Sequence, residues 1–183
     1  MSKVRTDNSH LQEKIKLRIQ SINDLNKKEI NILECFAGDG IIWNEVKKCT
    51  NKKINILKIE KKYKRSIIYL KGENLKFLEK IDLQNFDIID LDTYGSPFKQ
   101  LEIIFKKNYK GIVCVTFINT EYGRMEYNLL KKAGYSISII KKCPTIFSKN
   151  ALNIISCYLY KNGIDEIIGY FMKRKNYFYF KIK

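Results

Sequence analysis

The sequence is poor in several residue types, and each shortage excludes a class of protein. Its 183 residues include one histidine, two prolines, one tryptophan and nine glycines. A lone His10 and five cysteines without a CxxC pair form no zinc-ligand cluster, so we predict no metal. An odd number of scattered cysteines without a signal peptide indicates reduced thiols and a cytoplasmic protein. No apolar run approaches the roughly 20 residues that span a bilayer, which excludes a membrane-spanning helix.

Acidic residues are also scarce relative to basic ones. The chain has 35 lysines and arginines against 19 aspartates and glutamates, a net charge of +16. Such a charge attracts polyanions and accelerates their encounter with the protein, so a nucleic acid is the first partner to consider. The abundance of Lys, Asn and Ile is also typical of an AT-rich genome, which raises the lysine content of every protein it encodes.

Apolar segments alternate with helical patterns along most of the chain. This alternation predicts an α/β fold, in which a mostly parallel sheet has helices on both faces. We predict strands at 30–36, 54–60, 86–92, 111–117, 135–141 and 153–160. We predict helices at 10–25, 40–48, 75–81, 97–107 and 121–133, the first capped by Asn8 or Ser9, and a helix or a helix plus a short strand at 63–70.

The length fits one folded unit with two extensions. Residues 1–28 are predicted to be a helical segment packed on the same domain, and residues 29–162 the α/β domain itself. Residues 163–183 form an aromatic and basic extension, for which we predict a hairpin with its turn near Lys175 and Asn176.

A glycine-rich turn follows the first predicted strand, from Glu34 to Gly40. Gly38 and Gly40 allow a tight turn and a close approach of a ligand to the backbone at the start of a helix. A dinucleotide site needs a third glycine, but this sequence has Trp43 there, which argues against NAD. An ordinary turn between a strand and a helix is the alternative interpretation.

Glu60 ends the second predicted strand, twenty residues after Gly40. An acidic residue at this distance can accept hydrogen bonds from the two hydroxyls of a ribose. Three nearby lysines, Lys58, Lys61 and Lys62, offer the alternative of a solvated surface ion pair.

The third motif, from Asp90 to Pro97, closes the strand that begins at Phe86. Two acidic side chains that end an apolar strand are costly unless they are used or paired. Tyr94 beside them can stack on a base. Ser96 and Pro97 also fit a helix start, with Ser96 as the N-cap and Pro97 at the first helical position.

At these three motifs the sequence resembles class I S-adenosylmethionine (SAM)-dependent methyltransferases. Its ECFAGDG is similar to their glycine-rich motif, Glu60 to their ribose-binding acid, and Gly72–Asn74 to their segment beside the adenine. DLDTYGSP resembles the D-P-F/Y-G-S-P loop of tRNA guanine-N2 dimethyltransferases, with Thr93 in place of the proline. DNA amino-methyltransferases have a comparable loop with two adjacent prolines, which this sequence lacks.

The resemblance implies a Rossmann-like domain with a seven-stranded, mostly parallel sheet, SAM as cofactor, and methyl transfer to a base nitrogen. It assigns Asp92 and Tyr94 to catalysis, with Asp92 accepting a hydrogen bond from the target amine and Tyr94 stacking on the base. The cofactor ligands that it implies are Glu34, Phe36, Gly38, Gly40, Glu60, Glu73, Asn74 and Asp90.

Further residues are candidates for contacts with the nucleic acid. Basic side chains near the N-terminus can contact phosphates, and aromatic side chains of the tail can stack on bases, although the tail can instead pack on the core. The candidates are Arg5, Asn8, Lys14, Arg18, Ser96, Pro97, Tyr177 and Phe178.

Three functions remain open on the sequence alone. The first is a methyltransferase acting on RNA, with a tRNA guanine amine favoured and a role in tRNA processing. The second is a DNA amino-methyltransferase acting on adenine or cytosine. The third is a nucleic-acid-binding module of the same fold without catalysis, which Thr93 favours.

Overall fold

The computed structural model describes residues 10–61, 69–93, 95–118, 127–143, 145–172 and 175–183. Its helices are α1 (Leu11–Asn23), α2 (Ile41–Lys48), α3 (Asn74–Lys80), α4 (Phe98–Lys106), α5 (Tyr127–Lys132), α6 (Ile137–Lys142) and α7 (Ile146–Lys161). Its strands are β1 (Glu29–Glu34), β2 (Lys53–Glu60), β3 (Tyr69–Lys71), β4 (Ile88–Asp92), β5 (Gly111–Ile118), β6 (Ile168–Phe171) and β7 (Lys175–Ile182).

Within these ranges the seven strands form one sheet in the order β3-β2-β1-β4-β5-β7-β6. Strands β1 to β5 are mutually parallel, whereas β7 runs antiparallel to both β5 and β6. This arrangement confirms the predicted fold class. It also means that β1, β2 and β4 end at one edge of the sheet, where α/β proteins bind ligands.

Helices cover both faces of the sheet and create two apolar layers. On one face, α1 and α2 pack over the central strands, and Trp43 and Ile22 are fully buried there. On the other face, α3, α4 and α7 bury Leu78, Leu101 and Ile154 against the opposite side chains of the same strands. The strands are covered on both faces, as their continuous apolar runs predict.

Two of the predicted strands are wrong. Residues 135–141 and 153–160 lie in or beside the helices α6 and α7. Helix α7 buries the positions 151, 154, 155, 158 and 159, which have the spacing of one helix face. Its β-branched residues favour a strand and led to the wrong prediction. For α6, Ser136 is the N-cap, because its hydroxyl accepts a hydrogen bond of 3.4 Å from the Ile139 N–H.

The C-terminal hairpin is present, but it is part of the sheet rather than an appendage. Strand β7 begins at Lys175, so Lys175 and Asn176 belong to the strand and not to the predicted turn. Eight residues of β7 pair with β5, and β6 then forms the edge of the sheet.

Some predicted helix ends differ in the structure or lie outside the described residues. The N-cap of α1 is His10, not Asn8 or Ser9, which lie outside the described residues. Most of the segment 63–70, and the first part of the helix 121–133, also lie outside them, and the described end of 63–70 belongs to the short strand β3. In the described part of the chain, no helix is both long and apolar enough to cross a bilayer, and no three metal-binding side chains converge.

Candidate active site

The segment from Glu34 to Gly40 turns the chain from the end of β1 into α2. Gly38 and Gly40 have φ angles of 49° and 69°, a left-handed conformation that glycine adopts without steric cost. Space is limited as well, because a Cβ atom on Gly40 would lie 2.2 Å from Nζ of Lys58. The backbone angle therefore demands glycine at position 40, and a side chain there would also displace the ammonium of Lys58.

Glu60 ends β2 and contacts the glycine turn directly. Its Oε2 accepts a hydrogen bond of 2.8 Å from the Gly38 N–H. The turn is tied to the same strand a second time, since the Ala37 N–H donates to the Ile59 carbonyl at 3.2 Å. The structure thus brings the glycine motif and the predicted ribose acid to adjacent strand ends.

A cleft opens beside Glu60, and we call it the outer cleft. Asn74 lies on its wall and is fixed by two hydrogen bonds: its Nδ2 donates to the Cys35 carbonyl at 3.3 Å, and its Oδ1 accepts from Gln100 Nε2 at 2.9 Å. The outer cleft is lined by Cys35, Phe36, Ile59, Glu60, Lys61, Gly72, Glu73, Asn74 and Leu75.

A second cleft shares Phe36 with the outer cleft and extends to Asp92; we call it the inner cleft. Its lining combines the glycine turn, the start of α2 and two residues of α1. The lining residues are Leu11, Lys14, Glu34, Phe36, Ala37, Gly38, Asp39, Gly40, Ile41, Ile42 and Asp92. The three sequence motifs therefore meet around two adjoining clefts at the carboxyl edge of the sheet.

Asp90 is buried beneath α1 and α2, and its carboxylate oxygens are both engaged. Arg18 Nη2 donates to Oδ1 at 2.7 Å, and Arg18 Nε donates to Oδ2 at 3.1 Å. Trp43 Nε1 donates to Oδ2 at 2.7 Å, and Asp90 is only 1% exposed. Asp90 therefore holds two helices on the sheet, which corrects the expectation that it binds the cofactor.

Lys14 forms a second ion pair one helical turn away. Its Nζ lies 2.9 Å from Oδ2 of Asp92, and both side chains are largely buried. The spacing of the two pairs matches, because residues four apart on a helix and two apart on a strand are separated by about 6–7 Å. The pairs Arg18–Asp90 and Lys14–Asp92 thus fix the register of α1 along β4.

Asp92 is ionised although it is buried. Burial raises the pKa of its carboxyl, but the charges of Arg18 and Lys14 outweigh burial, and the pKa lies below its ordinary value. Its Oδ2 is held by Lys14, and a hydrogen bond from the Thr116 side chain also lowers the pKa. Asp92 lines the inner cleft, and its buried Oδ1 is the carboxylate oxygen that Lys14 does not hold.

Glu34 and Lys58 form a looser buried pair beside the glycine turn. Oε2 of Glu34 lies 3.9 Å from Nζ of Lys58 and has no hydrogen-bond partner in the described part of the chain. Burial, and after it the charge of Asp90, raises the pKa of Glu34 to about 8, while Lys58 opposes this rise. The ammonium of Lys58 also lies 5.2 Å from the ring centroid of Tyr69, a favourable cation–π contact.

The loop after Asp92 is held by a threonine where the resemblance has a proline. The Thr93 hydroxyl lies 2.9 Å from the carbonyl oxygens of both Gly95 and Thr116, which ties the loop to β5. The predicted Ser96 N-cap is wrong, because α4 has Pro97 as its N-cap and no side-chain capping bond. Tyr94, the predicted stacking residue, lies outside the described residues.

Five of the eight residues predicted to contact the nucleic acid are buried, namely Lys14, Arg18, Pro97, Tyr177 and Phe178. Arg18 is 1% exposed and Lys14 is 6% exposed, so neither offers its charge to a phosphate at the surface. Tyr177 and Phe178 are 0% and 1% exposed, because β7 is an interior strand, and they have no face free for a base. Arg5 and Asn8 lie outside the described residues, and the Ser96 side chain is exposed.

Sequence reasoning missed Lys58 and the indole of Trp43 as parts of this site. Lys58 carried a signal, since an ionisable residue within the apolar strand segment INILKIE must find a partner or a cleft. The role of Trp43 as a hydrogen-bond donor to Asp90 depends on packing between α2 and β4 and has no local sequence signal.

Comparison with known proteins supports the fold. No protein-family model and no curated protein matches the sequence. Among solved structures, the chain is similar to a candidate methylase from Haemophilus influenzae, with 11% identity and a TM-score of 0.52 over 93% of this chain and 99% of the other. It is also similar to a candidate class I SAM-dependent methyltransferase from Listeria monocytogenes, with 11% identity and a TM-score of 0.56 over 100% of this chain.

The chain has the fold of class I methyltransferases. It spans 62% of the length of the Listeria protein. At this level of identity, the comparison establishes the architecture, and the chemistry has to be argued from the residues of the site.

Proposed function

We propose that this chain is a SAM-dependent methyltransferase that modifies a base nitrogen of RNA, with the exocyclic amine of a guanine favoured. The observation that carries the proposal is the inner cleft, where the glycine turn adjoins the ionised and half-engaged carboxylate of Asp92.

The lining of the inner cleft suits a positively charged ligand. The acidic side chains of Glu34, Asp39 and Asp92 line it. The ammonium and sulfonium of SAM match such acceptors, whereas the pyrophosphate of a dinucleotide would be repelled. Bound there, SAM would supply an electrophilic methyl group.

The outer cleft supplies groups suited to an adenosine. The Glu60 carboxylate can accept hydrogen bonds from ribose hydroxyls, as its position at the end of β2 predicts. Glu73 and Asn74 line the same cleft, and Asn74 is already oriented by Gln100 and the Cys35 carbonyl. Phe36 joins the two clefts, so one elongated ligand can occupy both.

We assign Asp92 to binding of the nitrogen that accepts the methyl group. Its Oδ1, which Lys14 does not hold, can accept a hydrogen bond from the target amine and orient the nitrogen lone pair. The nitrogen becomes positively charged as it gains the methyl group, and the carboxylate stabilises that charge and can take the released proton. Lys14 holds Oδ2 in place and favours the ionised form that this role requires.

Charge and loop resemblance support RNA as the substrate. A net charge of +16 favours a polyanion, and the DLDTYGSP loop resembles that of tRNA guanine-N2 dimethyltransferases. In that resemblance, Tyr94 stacks on the target base. Unpaired bases are the easier targets, because a base within a duplex must first be flipped out.

Calorimetry with SAM and a tritiated-methyl transfer assay on total RNA test the proposal. The protein should bind SAM and label RNA. We expect Asp92→Asn, which removes the charge, and Asp92→Ala, which also removes the acceptor oxygens, to reduce transfer by at least roughly a hundredfold. SAM affinity should fall much less than transfer does, because Glu60 and the glycine turn remain. Asp165→Ala, at an exposed loop position, is the matched control and should retain full activity.

The same assay separates the competing functions. Labelling of DNA in preference to RNA would replace the RNA methyltransferase with a DNA amino-methyltransferase. SAM binding without transfer to either polymer would indicate a non-catalytic module. Full activity in both Asp92 variants would remove Asp92 from the mechanism.

A further inference from the structure

Glu34 lies between a cation and an anion in the middle of the sheet. Strand register pairs it with Lys58 of β2 on one side and with Asp90 of β4 on the other, and paired residues project from the same face. The spacing of strands puts these two neighbours about 5 Å away. Glu34 is only 4% exposed, yet it lines the inner cleft, so it borders the space that a ligand in that cleft would occupy.

The nearby cations leave the Glu34 carboxyl weakly paired. Arg18 and Lys14 of α1 each hold the carboxylate of a residue of β4. Lys58 remains for Glu34, but its Nζ lies 3.9 Å from Oε2, which is too far for a hydrogen bond. Among the described residues, no group donates a hydrogen bond to that oxygen.

The protonation state of Glu34 decides the net charge beneath α1 and α2. With Glu34 ionised, three cations face three anions, and with Glu34 protonated one positive charge is in excess. The side chains are Lys14, Arg18, Lys58, Glu34, Asp90 and Asp92, and the exposed Asp39 of the glycine turn also lines the inner cleft. Burial, and after it the charge of Asp90, raises the pKa of Glu34 to about 8, so the protonated form predominates near neutral pH.

A cationic ligand in the inner cleft favours the ionised form of Glu34. A positive charge nearby lowers the pKa of a carboxyl by about 1–3 pH units. SAM has an ammonium and a sulfonium against one carboxylate, whereas its demethylated product, S-adenosylhomocysteine (SAH), has no charge on sulfur. The sulfonium carries the methyl group, so it must come close to the nitrogen that Asp92 binds, in the same cleft that Glu34 lines.

We propose that Glu34 holds a proton while the inner cleft is empty and loses it when SAM binds, so that the site prefers the cationic donor to its neutral-sulfur product. The inference rests on the proposed function, because it takes SAM as the ligand of the inner cleft. The O–H bond of the carboxyl breaks, its electron pair stays on the carboxylate, and a buffer base takes the proton. After methyl transfer the sulfonium charge is gone, so Glu34 regains its proton and the product is held less tightly.

Calorimetry in phosphate and in Tris counts the proton, because the two buffers differ in their enthalpy of ionisation. Near pH 7 we expect close to one proton to be released for each SAM bound. SAM affinity should rise roughly tenfold from about pH 6 to about pH 7.5, as the ionised form of Glu34 becomes more common. SAH should release less than about half a proton, and sinefungin, whose ammonium replaces the methylsulfonium, should resemble SAM.

Glu34→Gln retains the shape of the side chain and removes its proton. This variant should bind SAM without proton release, and any pH dependence that remains belongs to the ligand or to other groups. Glu79→Gln, at an exposed position of α3, is the matched control and should release the proton like the wild type. SAM binding by the wild type without proton release would overturn the inference, as would equal release by SAM and SAH or undiminished release in Glu34→Gln. The wild-type measurements decide the matter even if Glu34→Gln does not fold.

The two proposals fail in different ways. If the wild type binds neither SAM nor SAH at any of these pH values, the proposed function is wrong and this inference falls with it. If the wild type binds SAM and methylates RNA but releases no proton on binding, only the role of Glu34 is wrong.

Discussion

The two faces of the central sheet bury very different side chains. From β4, Ile89 and Leu91 project into the layer beneath α4 and α7, whereas Asp90 and Asp92 project beneath α1. The first layer is stabilised by apolar contact alone, which depends on shape and volume. The second depends on each buried charge having its partner, because an unpaired charge in the interior is costly.

Beside its apolar cluster, the layer beneath α1, which we call the charged layer, holds ionisable side chains of both signs in the described part of the chain. Three basic side chains face three acidic ones, and Lys14, Glu34 and Asp92 line the inner cleft. The six side chains are Lys14, Arg18 and Lys58 with Glu34, Asp90 and Asp92. The comparison teaches that one face serves mainly stability, while the other combines stability with the proposed chemistry.

Removing the cation of the most buried pair should be the most damaging change. We expect Arg18→Met to lower the free energy of unfolding by about 3–5 kcal/mol, because the Asp90 carboxylate would remain buried with Trp43 as its remaining donor. Urea unfolding measures this loss, and calorimetry should show weaker SAM binding in the same variant. The double variant Arg18→Met with Asp90→Asn should recover part of the stability. A loss below about 1 kcal/mol in the single variant would contradict the proposed dependence on pairing.

A truncation in the apolar layer should affect stability and leave the site intact. Ile154 is fully buried beneath the opposite face, so Ile154→Ala should cost about 3 kcal/mol through lost burial and the cavity that remains. Under conditions where the variant is folded, its SAM affinity should equal that of the wild type. Ile139→Ala, at a residue 45% exposed, is the control and should change stability by less than about 0.5 kcal/mol. Impaired SAM binding in folded Ile154→Ala would show that the two layers are not separable.

The raised pKa of Glu34 predicts a pH dependence for the charged layer. The folded protein binds this proton more tightly than the unfolded chain, whose carboxyl has a pKa near 4.5. The stabilisation is therefore complete below that value and is lost as the pH rises through about 8. Between about pH 6.5 and 8, urea unfolding should show a loss of at most about 2 kcal/mol. Glu34→Gln should remove most of this dependence, and an unchanged profile would assign it to another group.

The smallest effect is expected at the edge of the site. Thr93→Val removes the hydroxyl that contacts the carbonyls of Gly95 and Thr116, and should lower stability by about 1 kcal/mol. Thr93→Ser retains the hydroxyl and should lose less. Thermal unfolding compares the two variants, and a larger loss in Thr93→Ser than in Thr93→Val would mean that the methyl group, not the hydrogen bonds, holds the loop.

The sequence predicted the parts of the fold that depend on chain order and strand ends. Buried strands ending in Glu34, Glu60 and Asp92 place polar side chains at one edge, because parallel strands share a direction. The meeting of these three segments follows from topology, and the structure has them around two adjoining clefts. Predicting the shared edge of the strand ends and the meeting of the three segments required no knowledge of side-chain packing.

The errors share a cause, which is that burial depends on partners far away in the sequence. Lys14 and Arg18 have the spacing of a helix face, and Asp90 and Asp92 have the spacing of a strand face, but neither pattern alone shows that the faces meet. Tyr177 and Phe178 are indistinguishable by residue type from Tyr170 and Phe171. Only the position of β7 between β5 and β6 decides which aromatics are covered.

The ion pairs of α1 have a consequence for the order in which the chain is assembled. Asp90 lies 72 residues after Arg18, and Asp92 lies 78 residues after Lys14. During synthesis from the N-terminus, α1 therefore leaves the ribosome well before the carboxylates that secure it exist. Until β4 emerges, its two basic side chains remain in water, so α1 cannot dock in its final register before the chain has been translated as far as Asp92.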